Sequence, residues 1–360
     1  MPLTLLATQG CKRVRLMQAA RAQLRLPPVQ VLEWRDWLAQ PALLEAALRQ
    51  PGWLKIEPPG DDPAAHLLLL QAGGRLLERP PVAAPAHGEL LAMDAWFAGF
   101  TAAMATLATQ LAELPQTRVF NAPAEISLMT DKLACQRHLA AHGVPIPALL
   151  GAVESYDHLQ SLLHAHDIDR VYLKPRYGSS ASGVVAYRRN KAGQQQATTS
   201  ATLHRTEGIT RLMNSKRMAR YESEHDIAAL VDALAAQQLY AEAWLNKPRC
   251  GDSHYDLRVV TLAGQPAHRV ARIGKQMMTN LHLDNRRGDA AGLLNTADMQ
   301  ALEETAALAA RAFPRSHVTG YDLVVRQGQA RVLEANAFGD LLPGLLWQGI
   351  DTYTAQLAHA

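Results

Sequence analysis

Between Val171 and Tyr187 the chain reads Val-Tyr-Leu-Lys174-Pro175-Arg-Tyr-Gly178-Ser179-Ser180-Ala-Ser182-Gly183-Val-Val-Ala-Tyr, and few folds accept that run. The apolar flanks suit strands, while proline and two glycines forbid a continuous helix through the middle. What remains is a strand ending in lysine, a small-residue turn and a second strand. An ammonium at a strand end, beside backbone N–H groups that no side chain covers, is chemistry suited to phosphate. It is not a Walker A loop, because no Gly-Lys-Ser/Thr follows and no helix opens there. The plain alternative is an ordinary hairpin with a flexible tip.

A second pair of strands lies near the C-terminus. Gly320-Tyr-Asp322-Leu-Val-Val alternates as a strand should, Arg326–Gln329 turns, and Ala330-Arg-Val-Leu-Glu334-Ala-Asn336 returns. Glu334 and Asn336 are two apart and share a face, and pairing can bring Asp322 alongside. Three hard oxygen donors on one face describe a Mg2+ site completed by water and phosphate; the alternative is the polar outer face of a ribbon. Between these regions, Tyr240-Ala-Glu242-Ala243-Trp244-Leu245 is an apolar strand broken by one acid. Asp256-Leu-Arg258 and His268-Arg-Val-Ala-Arg272 follow. If their strands are neighbours, Arg258 and Arg272 reach one pocket, where arginine can clamp a transferring phosphoryl group.

These pieces, with Asp131-Lys132, Gly143-Val-Pro-Ile-Pro147 and Thr279-Asn280-Leu-His282, occur in an order that resembles the ATP-grasp superfamily over about residues 120–345. The nearest pattern is that of its amide-forming ligases. They include the enzymes that add glutamate to a ribosomal protein, those that act on lysine-biosynthesis carrier proteins, and those that tailor ribosomal peptides. The resemblance implies an α/β (α+β) ATP-grasp fold behind a Rossmann-like pre-ATP-grasp domain. It divides the chain into 1–118, a first ATP-grasp subdomain 119–239 with the glycine-rich loop, and a second, 240–360, with the metal site.

The same resemblance assigns roles. Lys132 and Lys174 hold phosphates of ATP, under a loop of Gly178, Ser179, Ser180, Ser182 and Gly183. Glu242, Ala243, Trp244 and Leu245 form the hinge that reads adenine. Asn280 lies by metal and phosphate. Asp322, Glu334 and Asn336 bind one or two Mg2+, for which Mn2+ substitutes. Arg272 faces the γ-phosphate and the acyl-phosphate, with Arg258 and Lys174 as catalytic partners. The implied reaction joins a carboxylate, activated as acyl-phosphate, to an amine and releases ADP. The sequence departs from the pattern after the hinge. Asn246-Lys247-Pro-Arg replaces the acid expected for ribose, leaving Asn246 or Lys247 as the nearby candidates, and Leu283-Asp284-Asn-Arg286-Arg287-Gly288 replaces a small Gly-Gly turn, so that loop and Gly339–Pro343 border an acceptor of different chemistry. Two alternatives keep the fold: a nucleotide-binding regulatory or partner protein, and a kinase acting on a hydroxyl.

Elsewhere the reading is plainer. The first 115 residues alternate strand and helix, with Leu3–Ala7 a strand, Cys11–Leu26 a basic amphipathic helix, Val29–Leu32 extended and Ala39–Gln50 a second helix. No Gly-x-Gly-x-x-Gly follows the first strand, so no dinucleotide is assigned. Residues 57–88 read as loops around one short helix, Ala92–Leu114 as an apolar helix containing Trp96, Phe97 and Phe100, and Lys191–Thr202 as an exposed hairpin or mobile loop. His138 and His142 have the spacing of a helical zinc pair but lack the intervening glutamate and a third ligand. They read as a helix face, and Cys135 as a buried structural thiol. A net charge of +3 over 360 residues is no nucleic-acid footprint. No run of apolar residues is long enough to span a bilayer. Three dispersed cysteines fit a reducing compartment. The expectation is therefore a cytoplasmic enzyme, without nucleic-acid or membrane partners, acting on a small amino acid or peptide and forming a homodimer by default.

Overall fold

The computed structural model describes residues 2–178, 181–206, 209–275, 285–338 and 342–359. Three sheets succeed one another along the chain. The first is parallel, in the order β2-β1-β3-β4, from β1 (Leu3–Ala7), β2 (Gln30–Glu33), β3 (Gly52–Ile56) and β4 (Thr117–Val119). Its connections are α1 (Lys12–Gln23), the short α2 (Trp34–Ala39) and α3 (Leu43–Ala47), and the long pair α4 (Pro63–Leu76) and α5 (Met93–Ala112). Parallel strands need such crossovers, so the βαβ rhythm expected from the sequence is the fold of this layer.

After α6 (Pro123–Thr130) and α7 (Lys132–Ala141), an antiparallel sheet forms from β5 (Leu149–Val153), β6 (Arg170–Pro175), β7 (Val185–Arg189), β8 (Gln195–Thr206), β9 (Ile209–Tyr221) and β10 (Leu239–Ala243). Its order is β5-β10-β6-β7-β8-β9, so β10 returns to sit between β5 and β6. Two helices, α8 (Tyr156–Ala165) and α9 (Glu224–Ala235), cover one face and supply an apolar core with Leu159, Leu163, Ile227 and Leu230.

The third sheet is antiparallel too. Its strands are β11 (Arg249–Cys250), β12 (Ser253–Leu262), β13 (Gln265–Gly274), β14 (Arg286–Gly288), β15 (Val318–Arg326) and β16 (Gln329–Asn336), ordered β14-β13-β12-β15-β16 with β11 beside β12. The helix α10 (Thr296–Arg311) packs on one face. Part of the other face shares a core with the first sheet, in which Leu3, Leu5 and Met17 meet Val260, Val270 and Val318. A small hairpin, β17 (Leu346–Trp347) with β18 (Ile350–Asp351), leads to α11 (Thr352–Ala358), which packs on α1. Mixed helix and sheet is therefore the observed class, and among the described residues no helix is long and apolar enough to cross a membrane.

Three local expectations need correction. The helix expected at Ala39–Gln50 is only the short α3, Leu43–Ala47, preceded by the separate α2 that ends at Ala39, because Pro41 lacks the N–H that a continuous helix would use there. The loop-rich stretch 57–88 contains a 14-residue helix, α4, whose start is set by Asp62, accepting from the Ala64 N–H at 2.9 Å, and by Pro63 in the first turn. Its Gly73 does not break it, because α5 crosses there at a distance only glycine permits. Of the two readings for Lys191–Thr202 the hairpin holds, since β7 and β8 pair antiparallel, but it is exposed only at its turn. From Gln195 it is strand β8, with Ala197, Thr199 and Ala201 buried on one face. Small Ala and Thr side chains there hide a buried strand behind a polar composition.

Burial also sets a pH dependence. His317 packs between Trp53 and Phe120, and burial depresses its imidazole below the ordinary value, as it does for His66. The folded chain thus disfavours protonation of both rings relative to the unfolded chain, whose imidazoles accept protons near the ordinary value of about 6.5. Their contribution is complete above that pH and is lost as the pH falls through it. The melting temperature is expected to drop between pH 7.5 and 5, and His317→Phe to flatten the profile; an unchanged slope would exclude His317 as a source.

Candidate active site

The second and third sheets face each other across a cleft. Its walls follow from strand register. On the middle sheet, Tyr240 is the partner of Lys174 and Glu242 the partner of Tyr172, so these four side chains share one face. Lys174 Nζ lies 2.5 Å from Glu242 Oε1 and 3.3 Å from the Leu333 carbonyl. Tyr240 donates its hydroxyl to Glu242 Oε2 at 3.3 Å. Burial raises the Glu242 carboxyl above its usual range, with Lys174 pulling it back.

The third sheet presents a row of charge across four strands. Arg272 is the partner of Asp256, Arg258 of Asp322, and Asp322 of Glu334. The Arg272 guanidinium bridges two carboxylates, at 2.7 Å from Asp256 Oδ1 and 3.0 Å from Asp322 Oδ2. Lys247 Nζ takes the other oxygen of Asp256 at 2.9 Å, and Arg258 pairs with Asp322. Burial disfavours charge on Lys247 and lowers its ammonium. The two carboxylates around Arg272 outweigh its desolvation and raise it. Glu334 meets Lys132 at 2.7 Å; burial raises its carboxyl, but Lys132, Lys174 and Arg258 together carry it below the ordinary value.

Two local devices aim these groups. A register shift after Asp322 pairs Leu323 with Val332, so Leu333 is the extra residue of a bulge and its carbonyl is released from the ladder. That carbonyl accepts from Lys174 and, at 2.7 Å, from Gln136 Nε2. Lys132 opens α7, whose N-cap Asp131 accepts from the Ala134 N–H at 3.1 Å and is gripped by Arg176 through both oxygens, at 3.1 and 2.5 Å.

The expected residues fall into groups. Lys132, Lys174, Glu242, Ala243, Leu245, Arg272, Asp322 and Glu334 line the cleft, and Arg258 stands beside it on Asp322. Trp244 packs on Tyr172 with ring centroids 5.0 Å apart. The Ala243 and Trp244 N–H groups already donate to the Ala148 and Arg170 carbonyls, at 2.8 and 3.2 Å. Asn336 pairs with Gly320, and its amide reaches the Gly320 carbonyl at 3.4 Å. Gly183 faces the middle core. With φ of +70° and a Cβ that would stand about 3 Å from Pro175, Leu234 and Leu90, the position requires glycine for packing. Gly178 lies close by, its Cβ position 3.2 Å from the Ser182 carbonyl. Ser179, Ser180, Thr279–Asp284, including Asn280, and Gly339–Leu341 lie outside the described residues. Arg286 and Arg287 are exposed on β14. Cys135 is buried, and burial pushes its thiol up to about 12. Lys247, one of the two ribose candidates after the hinge, also lines the cleft, together with Tyr172, Asp256, Ala181 and Val184, which the sequence did not single out as site residues. Tyr172 was legible as the same-face neighbour of Lys174, and Asp256 as the same-face neighbour of Arg258.

Among the described residues no three His, Cys, Asp or Glu side chains converge as a metal cluster. The donor set available to a divalent ion is Asp322, Glu334 and the Asn336 amide, all oxygen, which fits Mg2+ bound partly by water and phosphate.

No family model matches the sequence, and no curated protein does. Solved structures do. D-cycloserine synthetase DcsG aligns with a TM-score of 0.57 at 16% identity, over 99% of each chain. The ATP-grasp ligase PsnB, complexed with a minimal precursor, gives 0.57 at 13% over 100% of this chain and 99% of that one. D-alanine–D-alanine ligase from Bacillus anthracis, complexed with ATP, gives 0.51 at 12% over 99% and 94%. At these identities what is shared is the fold.

Proposed function

From an ATP-grasp fold whose sheets enclose a cleft of alternating buried charge, we propose an ATP-dependent ligase that activates a carboxylate and joins it to an amine. The observation that carries this reading is the pairing inside the cleft. Lys132, Lys174, Lys247 and Arg272 are held there by Glu334, Glu242, Asp256 and Asp322. Burying so many charges is costly, and as stability devices such pairs are poor. As placeholders they make sense. A nucleotide polyphosphate with divalent ions brings both signs at once, so cations can turn to phosphate and carboxylates to metal while the cleft stays near neutrality. Tyr172 and Leu245, which line the cleft, provide the apolar end for a purine, with Trp244 packed on Tyr172.

Asp322, Glu334 and Asn336 would hold Mg2+, which supplies charge neutralisation for the transferring phosphoryl group. Lys132 and Lys174 orient the phosphates, and Arg272 meets the charge that develops during transfer. The substrate carboxylate oxygen attacks the γ-phosphorus, the bond to the β-γ bridging oxygen breaks, and ADP leaves. The amine then attacks the acyl carbon, the bond to the phosphate oxygen breaks, and phosphate departs as the nitrogen loses its proton. Lys247, locked to Asp256, stands where a ribose-binding acid was missed in the sequence, and the Lys247–Asp256 pair takes that role in this reading.

Thermal denaturation with a non-hydrolysable ATP analogue tests the proposal. At a hundredfold excess over Kd the gain is about 2.7 kcal/mol, or a rise of roughly 3–4 °C if the chain unfolds as one unit. The rise is expected to need Mg2+ and to vanish in Lys174→Ala. Hydroxylamine trapping of an acyl-phosphate then separates a ligase from a hydroxyl kinase. No shift in the wild-type protein would sink the nucleotide reading.

A further inference from the structure

The lysine at the head of α7 is held by a column of side chains that begins in a different layer. Phe97, on α5 of the first layer, stacks on Tyr177 with ring centroids 4.2 Å apart and an interplanar angle of 11°. The Arg176 guanidinium lies over the same tyrosine ring, 5.2 Å from its centroid. Arg176 then grips Asp131 with two hydrogen bonds, and its carbonyl accepts from the Lys132 N–H at 2.9 Å. Lys132 extends from there to Glu334.

Neighbouring contacts keep the column aligned. The Leu90 N–H donates to the Leu212 carbonyl at 2.8 Å and the Asn214 N–H to the Gly88 carbonyl at 2.7 Å, so the segment leading into α5 pairs with edge strand β9. Leu90 is buried in the middle core, and the Met93 N–H donates to Gln237. On the other side Arg79 holds Asp94, in the first turn of α5, through both carboxylate oxygens. The first turns of α5 are thus seated on the middle sheet at one end and on the first layer at the other. A half-buried Phe–Tyr–Arg stack is more than packing needs here, since its far end is a bidentate grip on the N-cap of the helix that presents Lys132.

We propose that Phe97, Tyr177 and Arg176 are positioning residues that set the Lys132 ammonium for the phosphates of ATP, an assignment that rests on the nucleotide reading of the cleft. None of the three touches the adenine end, where Tyr172, Trp244 and Leu245 lie. Their loss therefore acts on phosphate recognition and leaves nucleoside recognition alone.

The experiment uses the full chain with Mg2+. Affinity for a non-hydrolysable ATP analogue is measured by calorimetry, and affinity for adenosine by saturation-transfer NMR, in wild type, Phe97→Ala, Phe97→Tyr and Arg176→Lys. Phe97→Ala and Arg176→Lys are expected to weaken the analogue about tenfold, the effect of misplacing one charge-assisted hydrogen bond, with adenosine unchanged. Phe97→Tyr keeps the ring and restores analogue binding. Equal losses for analogue and adenosine would reduce the column to packing and overturn the proposal, as would wild-type affinity in Phe97→Ala and Arg176→Lys. Should Phe97→Ala fail to fold, Arg176→Lys, at the other end of the stack, decides alone. A wild-type protein that binds neither ligand would remove the nucleotide reading and the column with it, an outcome distinct from binding that the variants leave intact.

Discussion

Arg272→Ala is expected to lose both stability and turnover, by amounts no surface substitution approaches. The guanidinium is 6% exposed and is the bridge between Asp256 and Asp322. Removing one partner from a buried charge group costs about 3–5 kcal/mol, because the opposite charge stays behind. The lower end applies, since Asp256 keeps Lys247 and Asp322 keeps Arg258. On the proposed ligase function, ADP release with a true acceptor should fall by about 10²–10³, the usual effect of deleting one preorganised donor at a developing charge. Arg272→Lys should regain part of the stability and little of the activity. One ammonium is a point charge and cannot reproduce the planar fork between two carboxylates. Melting curves read the first effect and ADP release the second. An Arg272→Ala protein that melts with the wild type would show that Lys247 and Arg258 suffice for the pair of acids.

The other large effect lies outside the cleft, where α4 and α5 cross. A Cβ built on Gly73 would stand 1.7 Å from the Ala95 carbonyl oxygen, and one on Gly99 would stand 1.9 Å from that of Leu69. Neither obstacle is a flexible side chain. Alanine at either position must push two backbones apart, so the loss should exceed the usual overpacking cost of about 1–3 kcal/mol. A melting temperature lower by at least roughly 4 °C is expected. Gly74, the next residue on α4, is the internal control. Nothing lies within 4 Å of its Cβ position, so Gly74→Ala should stabilise by about 0.4–1 kcal/mol through the unfolded chain. Two adjacent glycines with effects of opposite sign would establish the crossing, and equal effects would refute it. Because Gly99 lies two residues beyond Phe97, Gly99→Ala should also disturb the stack on Tyr177.

Much of the cleft was legible before any coordinates. Strand periodicity placed Glu334 and Asn336 on one face, and a spacing of twelve set Asp322 opposite; the register makes Asp322 the partner of Glu334. Arg258 and Arg272 do lie on neighbouring strands, β12 and β13, and Lys174 does end a strand next to a turn. Other features were out of reach for physical reasons. The sequence reading proposed arginine as a phosphate clamp and left open which carboxylate would neutralise it, because Asp256 and Asp322 converge on Arg272 from two different strands. The bulge at Leu333 has no residue signature, since it consists of one carbonyl leaving its ladder. The hairpin expected over Lys191–Thr202 is there, but the burial of β8 was not legible, because composition reports polarity whereas burial depends on what packs over the strand.

Sequence alone determined the periodicities, the turns and the order of the charged residues, because these follow from steric limits acting over a few neighbouring positions. Tertiary structure alone decided which faces meet. It inserted β10 between β5 and β6, bringing Glu242 to Lys174, and laid α5 so that Phe97 reaches Tyr177. Those choices are set by the packing of surfaces distant in the chain, where burial of apolar area and the pairing of charge are shared among many residues. No local run of sequence contains that sum.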